Sequence, residues 1–153
     1  ELPTSPIRLA FFDIDGTLAD ATHRLHLIHG EEVDWQEFHR QSANDKPIPQ
    51  VMDLYRMASK PFNNIHIITA RMGRPETVEI TEKWLKKHDI AYHTLSFRKV
   101  NDFRHDYVVK AEIAAKRGLT AENTDFVVED RASVCQMWRK NGFFVYQVAN
   151  GDF

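Results

Sequence analysis

The chain holds one cysteine, Cys135, in 153 residues. That excludes an internal disulfide and any cysteine-built metal site, and it is the usage of a reducing compartment, with the cytosol as the expected setting. Glycine and proline are sparse, six of each, and no low-complexity tract or internal repeat occurs, so fibrous and disordered classes are excluded. No apolar run approaches the roughly 18 residues that a membrane span needs, and no basic segment with an apolar core opens the chain. A net charge of −2 excludes a protein that coats duplex DNA by bulk basicity, while leaving room for a local basic site.

What is present fits one globular domain over residues 1–153: 42% apolar and 27% charged residues, enough for a single core. Apolar, β-branched and aromatic runs at 7–12, 65–69, 91–97, 124–129 and 143–149 read as strands. Between them Val51, Leu54, Tyr55 and Ala58 share one helical face, as do Val78, Thr81, Trp84 and Leu85, and Val134, Met137 and Trp138. Alternating strands and helices predict an α/β fold: a Rossmann-like three-layer sandwich with a mostly parallel central sheet and a ligand site beyond the carboxyl ends of the strands. Residues 19–46 break the alternation with two short helical stretches, HRLHLIHG and VDWQEFHRQ, and read as a small helical cap. NDKPIPQ, residues 44–50, reads as a connection. A chain that opens on Glu1 and the period-less ELPTSP reads as a fragment of a longer chain or a processed start.

Four predicted strand ends turn polar together: Asp13 with Asp15, Thr69 with Arg71, the loop from Arg98 to Lys110, and Glu129 with Asp130. One acidic pair alone is more often a strand leaving the core into a turn; four such ends converging are a site. Close carboxylates repel unless a cation or donors offset the charge, and hard oxygen ligands without a Cys/His set suit magnesium. An aspartate can attack phosphorus while a second carboxylate moves protons. The charge loaded on a transferring phosphoryl group calls for donors such as the Thr69 hydroxyl and the Lys110 ammonium.

DIDGT at 13–17, the strand ending in Thr69, Lys110 at a helix start and the Glu129–Asp130 pair together resemble the four motifs of the haloacid dehalogenase superfamily. ITAR at 68–71, FRKVNDFRHDYVVKAEI at 97–113, EDRASVCQMWRKNG at 129–142 and QVANGDF at 147–153 resemble more closely the 3′-phosphatase domains of bacteriophage polynucleotide kinases. The resemblance implies Asp13 as nucleophile and Asp15 as general acid and base, with its backbone carbonyl on Mg2+. It implies Thr69 and Lys110 on the phosphoryl group, Asp130 completing the metal site beside Asp13, and Glu129 and Asp106 in the acidic surroundings of the metal. Arg24 and Arg71 stand where that family places arginines near the phosphate or the strand. The implied substrate is a nucleic-acid 3′-phosphate end, DNA or RNA, and the implied partner an upstream kinase or ligase domain, in the host cytoplasm if the chain is phage-encoded. This chain has no GxxxxGK[ST] and by itself is expected to lack kinase activity. It departs from the phage pattern in Glu129, one methylene longer than aspartate, in Tyr107 after Asp106, and in the longer segment between the first two motifs.

Arg71, Arg98, Arg104 and Arg131 flank predicted strand ends and read as one substrate-binding rim, with surface pairing as the plain alternative for the last three. His23, His26 and His29 recur every three residues, a spacing that drifts around a helix, and read as solvated. Trp84 and Trp138 read as core, Trp35 and Phe38 either as aromatics that stack on a base or as a small core of the cap, and Cys135 as a buried or half-buried thiol. Two rival readings stand beside the phosphatase for nucleic-acid ends: a small-nucleotide or sugar-phosphate phosphatase on the same core, and a catalytically silent module that binds nucleic-acid ends.

Overall fold

The computed structural model describes residues 8–59 and 63–153. ELPTSP and Ile7, expected to begin the first strand, lie outside the described residues. In chain order the elements are β1 (Arg8–Phe12), β2 (Ala19–Asp20), a 3-10 helix (Thr22–Leu27), α1 (Trp35–Arg40), a second 3-10 helix (Gln41–Asn44), β3 (Lys46–Pro47) and α2 (Pro49–Ala58). They continue with β4 (Asn63–Met72), α3 (Pro75–Lys87), β5 (Thr94–Arg98), α4 (Asp106–Lys116), β6 (Phe126–Glu129), α5 (Ala132–Lys140) and β7 (Val145–Gln147).

The five longer strands form one sheet in the order β5-β4-β1-β6-β7, and every neighbouring pair is parallel. From β1 the chain runs outward through β4 and β5, then crosses to β6 and β7 on the other side. The carboxyl end of β1 therefore faces the crevice where the winding reverses, the position at which open α/β sheets bind ligands.

Side chains alternate across a strand, and consecutive residues here enter two different cores. Phe12, Ile67 and Val128 pack with Val51 and Tyr55 of α2 and Trp84 and Leu85 of α3. Phe11, Ile68 and Val127 pack with Ala114 of α4 and Val134 and Trp138 of α5, where the Phe11 and Trp138 rings meet edge to face at 4.8 Å. Both faces of the sheet are covered, which is why its strands read as near-continuous apolar runs. Helices α2 and α3 each start on a proline after an extended residue, Ile48 and Arg74, where the missing N–H removes no helical bond.

Several strand bounds differ from the sequence reading. The second sheet strand runs on to Met72 and so carries Arg71. The third starts at Thr94 and the fourth at Phe126. The last is only Val145–Gln147: Phe143 leaves it to pack against Trp138 and Phe11, and the Gln147 amide turns back onto the carbonyls of Ala149 and Asn150.

Residues 21–45 leave the sheet between β2 and β3, which pair antiparallel and hold the two ends of the excursion together. The first helical stretch is a 3-10 helix that buries only Arg24, too little contact to sustain a longer helix. The second is α1, capped by the Asp34 carboxylate, which accepts from Glu37 N at 3.0 Å.

Candidate active site

Asp13 is the first residue past β1, and its N–H donates to the Val128 carbonyl of β6 at 3.0 Å. The chain then turns tightly, with Ala19 N and Thr17 N both donating to Ile14 O. Gly16 takes φ +78 in this turn, and a Cβ there would stand 2.1 Å from Asp130 Oδ2. The glycine of DIDGT thus permits both the turn and the approach of Asp130.

Two clusters form around this turn. In the first, Lys110 Nζ donates to Asp13 Oδ1 at 2.8 Å and to Glu129 Oε2 at 2.7 Å. The Thr17 hydroxyl lies 3.0 Å from Asp13 Oδ2 and 3.3 Å from Asp130 Oδ1; its one proton can serve only one of them. Asp13, Glu129, Asp130 and Lys110 are all buried, so three carboxylates share one ammonium. Burial, with the charge of Asp13 added, pushes Glu129 up to about 7 and Asp130 up to about 10. Burial alone would lower Lys110, but Asp13 and Glu129 outweigh it and the ammonium is held more firmly protonated than usual. Oxygens of Asp13, Glu129 and Asp130 lie within 4.8 Å of one another. Three carboxyl groups around one ammonium, all hard oxygen donors whose protons a cation would displace, fit a magnesium site.

The second cluster surrounds Asp15. Arg71 grips it with two bonds, Nε to Oδ2 at 2.9 Å and Nη2 to Oδ1 at 2.7 Å, and Arg24 Nη2 reaches Oδ1 at 2.6 Å. Burial would raise this carboxyl, but the charges and hydrogen bonds of Arg71 and then Arg24 hold it well below the usual carboxylate range. Behind the arginines stands Asp45, its side chain fully buried, accepting from Arg24 Nε at 2.9 Å and Nη2 at 2.8 Å, 3.8 Å from Arg71 Nη2 and 2.7 Å from His23 Nε2. Asp45 is fixed in turn by Trp84 Nε1 on its carbonyl at 2.8 Å, and Arg71 by Thr81 Oγ1 at 2.9 Å.

A family model described as the polynucleotide kinase PNKP phosphatase domain matches residues 8–153. The chain belongs to that family. The chain is also similar to a solved chain of a Pnkp1/Rnl/Hen1 complex, with 28% identity, TM-score 0.78, and 98% of this chain covering 48% of that one. A chain of the Pnkp1/Rnl/Hen1 RNA repair complex gives 27% identity and TM-score 0.79, with 100% of this chain covering 46% of that one. The domain thus spans about half the length of the repair-complex chains it matches. The HAD-hydrolase YfnB from Bacillus subtilis, solved bound to magnesium, shares the fold at 15% identity and TM-score 0.65, over 92% of this chain and 86% of that one. The domain is a phosphatase of the haloacid dehalogenase superfamily, as its motifs implied.

Within the fold the expected residues separate into groups. Asp13, Lys110, Glu129 and Asp130 meet in one cluster, Asp15, Arg24 and Arg71 in the other. Thr69 is fully buried inside β4, its hydroxyl oxygen accepting from Arg71 N at 3.2 Å. Arg98 and Arg104 are not drawn to the two aspartates. Arg98 staples the following loop, donating to the carbonyls of Ala70, Asp102 and Arg104 and to Asp106, and Arg104 pairs with Asp102 and Glu112 on the surface. Arg131 pairs with Asp106 at 2.6 Å and donates to the Phe153 carbonyl at 2.8 Å; Asp106 thus bridges Arg98 and Arg131.

Thr17 and Asp45 were missed. Thr17 was legible in DIDGT as a hydroxyl four residues past Asp13. Asp45 sits in a stretch read as a mere connection, and its signal was indirect: two arginines on one aspartate need a further acid, but only burial of Arg24 makes that need visible. Trp84 and Trp138 are core residues, and Cys135 is buried, its thiol pushed by burial up to about 12. Phe38 lies under the Arg24 guanidinium at 4.3 Å, while Trp35 stays exposed. Among the described residues no helix is long and apolar enough to cross a membrane.

Proposed function

We propose that this domain removes the phosphate from 3′ ends of nucleic acids, DNA or RNA, with Asp13 as nucleophile and Asp15 as proton donor and acceptor. The observation that carries the reading is the division of two aspartates one residue apart. Asp13 lies against an ammonium and a hydroxyl beside two further acids, and Asp15 lies against two guanidinium groups. Neighbouring acids held by separate partners, one by Lys110 and Thr17 and the other by Arg24 and Arg71, can take separate roles.

In the first step an Asp13 oxygen bonds to phosphorus and the bond to the leaving oxygen breaks, with a proton passing from Asp15 to the departing alkoxide. In the second, Asp15 takes a proton from water as that water displaces phosphate from the aspartyl-phosphate. Lys110 and Thr69 counter the charge of the phosphoryl oxygens. The forks of Arg24 and Arg71 also match phosphoryl oxygens, so a bound substrate competes for them and frees Asp15 to carry its proton. Asp13, Asp130 and the backbone carbonyl of Asp15 would hold magnesium, which when bound offsets the charge on the phosphoryl group. Residues 21–45 act as the cap, with the exposed Trp35 offering a face to a base.

Family membership and the likeness to chains of an RNA repair complex support a nucleic-acid substrate and a kinase or ligase partner, joined upstream or separate; the single cysteine fits a cytoplasmic setting. The test compares phosphate release from matched DNA and RNA oligonucleotides bearing 3′ or 5′ phosphates and from 3′-mononucleotides, with and without magnesium. Asp13→Asn is expected to abolish turnover. Near-normal hydrolysis by that variant would overturn the mechanism, and a preference for mononucleotides would move the substrate to small nucleotides.

A further inference from the structure

Asp130 is enclosed by two glycines that approach it from different parts of the chain. Gly16 faces its carboxylate. Gly151, beyond β7, faces its backbone: at φ +67, a Cβ there would stand 2.0 Å from Asp130 O and 2.6 Å from Ala132 N. Residues 148–153 are bonded to both sides of Asp130. Val148 N donates to Glu129 O at 3.0 Å, Ala132 N donates to Gly151 O at 3.0 Å, and Arg131 Nε donates to Phe153 O at 2.8 Å with its guanidinium 5.6 Å from the Phe153 ring.

We propose that residues 148–153 are part of the carboxylate site: a strap that, through the close approach of Gly151, fixes the backbone of Asp130 and so sets the affinity of the cluster for a divalent cation. Gly151 is a positioning residue. Its contact is with backbone atoms, which no rotamer change can move aside, so a methyl group at 151 must displace residues 130–132 or lift the strap. Magnesium holds its ligands near 2.0–2.1 Å in octahedral geometry, so displacing one carboxylate by a fraction of an ångström weakens binding. The proposal rests on the reading of the cluster as a cation site.

Gly118 provides the control. It has φ +69 and nothing within 4 Å of a Cβ, so Gly118→Ala introduces the left-handed backbone penalty without the push on Asp130. Mn2+ binding to the metal-free 153-residue chain is measured by calorimetry, beside melting in EDTA. Gly151→Ala is expected to bind Mn2+ at least about tenfold more weakly than Gly118→Ala. A chain ending at Val148, which keeps β7, is expected to show a similar loss. Mn2+ affinity within twofold of Gly118→Ala, in either strap variant, would overturn the proposal. Absence of Mn2+ binding by the unsubstituted chain would overturn the cation reading itself, and the strap's role with it.

Discussion

Replacing Glu129 by Gln is expected to remove a loss of stability that the cation-free chain suffers as pH rises toward 8. Glu129 is buried beside Asp13, and both it and Asp130 lie well above ordinary carboxylate values. Between pH 4.5 and about 7 the folded chain keeps a proton on Glu129 that the unfolded chain has released, so stability falls as pH rises through that window. A rise from 4.5 to about 7, at about 1.4 kcal/mol per pH unit, corresponds to about 3 kcal/mol. For a chain of this size that is a Tm change of about 6–12 °C. Gln carries no charge, so the variant escapes this pH-dependent loss; its oxygen can still accept from Lys110, while its amide N turns toward the Asp130 and Arg131 N–H groups that Oε1 accepts from, a cost that does not vary with pH. His39 and His66, which burial lowers, contribute the opposite slope near pH 6.5, and they cancel in the comparison of the two chains. The assay is thermal melting from pH 5 to 8 in EDTA and again in excess magnesium. In EDTA the Tm of the unsubstituted chain drops relative to Glu129→Gln as pH rises; in magnesium the difference shrinks or reverses, because a ligand bound only by the folded state stabilises it. Parallel Tm curves in EDTA would refute the idea that this cluster carries uncompensated negative charge.

Asp45→Asn removes the buried counter-charge of Arg24 and is expected to destabilise the fold by about 3 kcal/mol and to weaken turnover at subsaturating oligonucleotide, read by melting and by kcat/KM. Arg104→Ala is expected to leave Tm and turnover unchanged, since Arg104 pairs only with surface acids; a tenfold fall in kcat/KM would place it on the substrate path. Cys135 is buried with its thiol held protonated, so alkylation by iodoacetamide at pH 8 should track global unfolding in denaturant; rapid labelling of the native chain would contradict its position in the core.

The parts of the fold visible in the sequence were those written in apolar periodicity. Phe11, Phe12, Ile67, Ile68, Val127 and Val128 announce strands buried on both faces, and Trp84 and Trp138 announce the helices that cover them. Strand ends were blurred because pairing sets them: β7 extends only over the three residues that meet Val127–Glu129, whereas the apolar run around it is longer. In the site, DIDGT, Lys110 and Asp130 were legible because each is a polar group stationed where a strand or helix meets the crevice. Asp45 was not, because its task depends on two arginines that arrive from separate elements. The rim of arginines was only half legible: Asp102 and Glu112, which engage Arg104, are ordinary loop and helix-surface acids until the chain folds, and Asp106, expected near the metal, bridges Arg98 and Arg131.

The two cores that Phe11 and Phe12 enter also divide the chemistry just past β1, because the tight turn at Gly16 carries Asp15 away from the side of Asp13, where a continued strand would have left it. Asp13 depends on Lys110, carried by α4 on one face of the sheet, while Asp15 depends on Arg71 and Asp45, which are held by Thr81 and Trp84 of α3 on the other. The two aspartates are thus wired to different halves of the molecule. Loosening α3 releases the arginine grip on Asp15 and leaves the ammonium beside Asp13 in place; loosening α4 does the reverse. Lesions far from the crevice, such as cavities cut under Leu85 or under Ala114, fall into two functional classes according to the layer they weaken, although both kinds lie beneath one sheet.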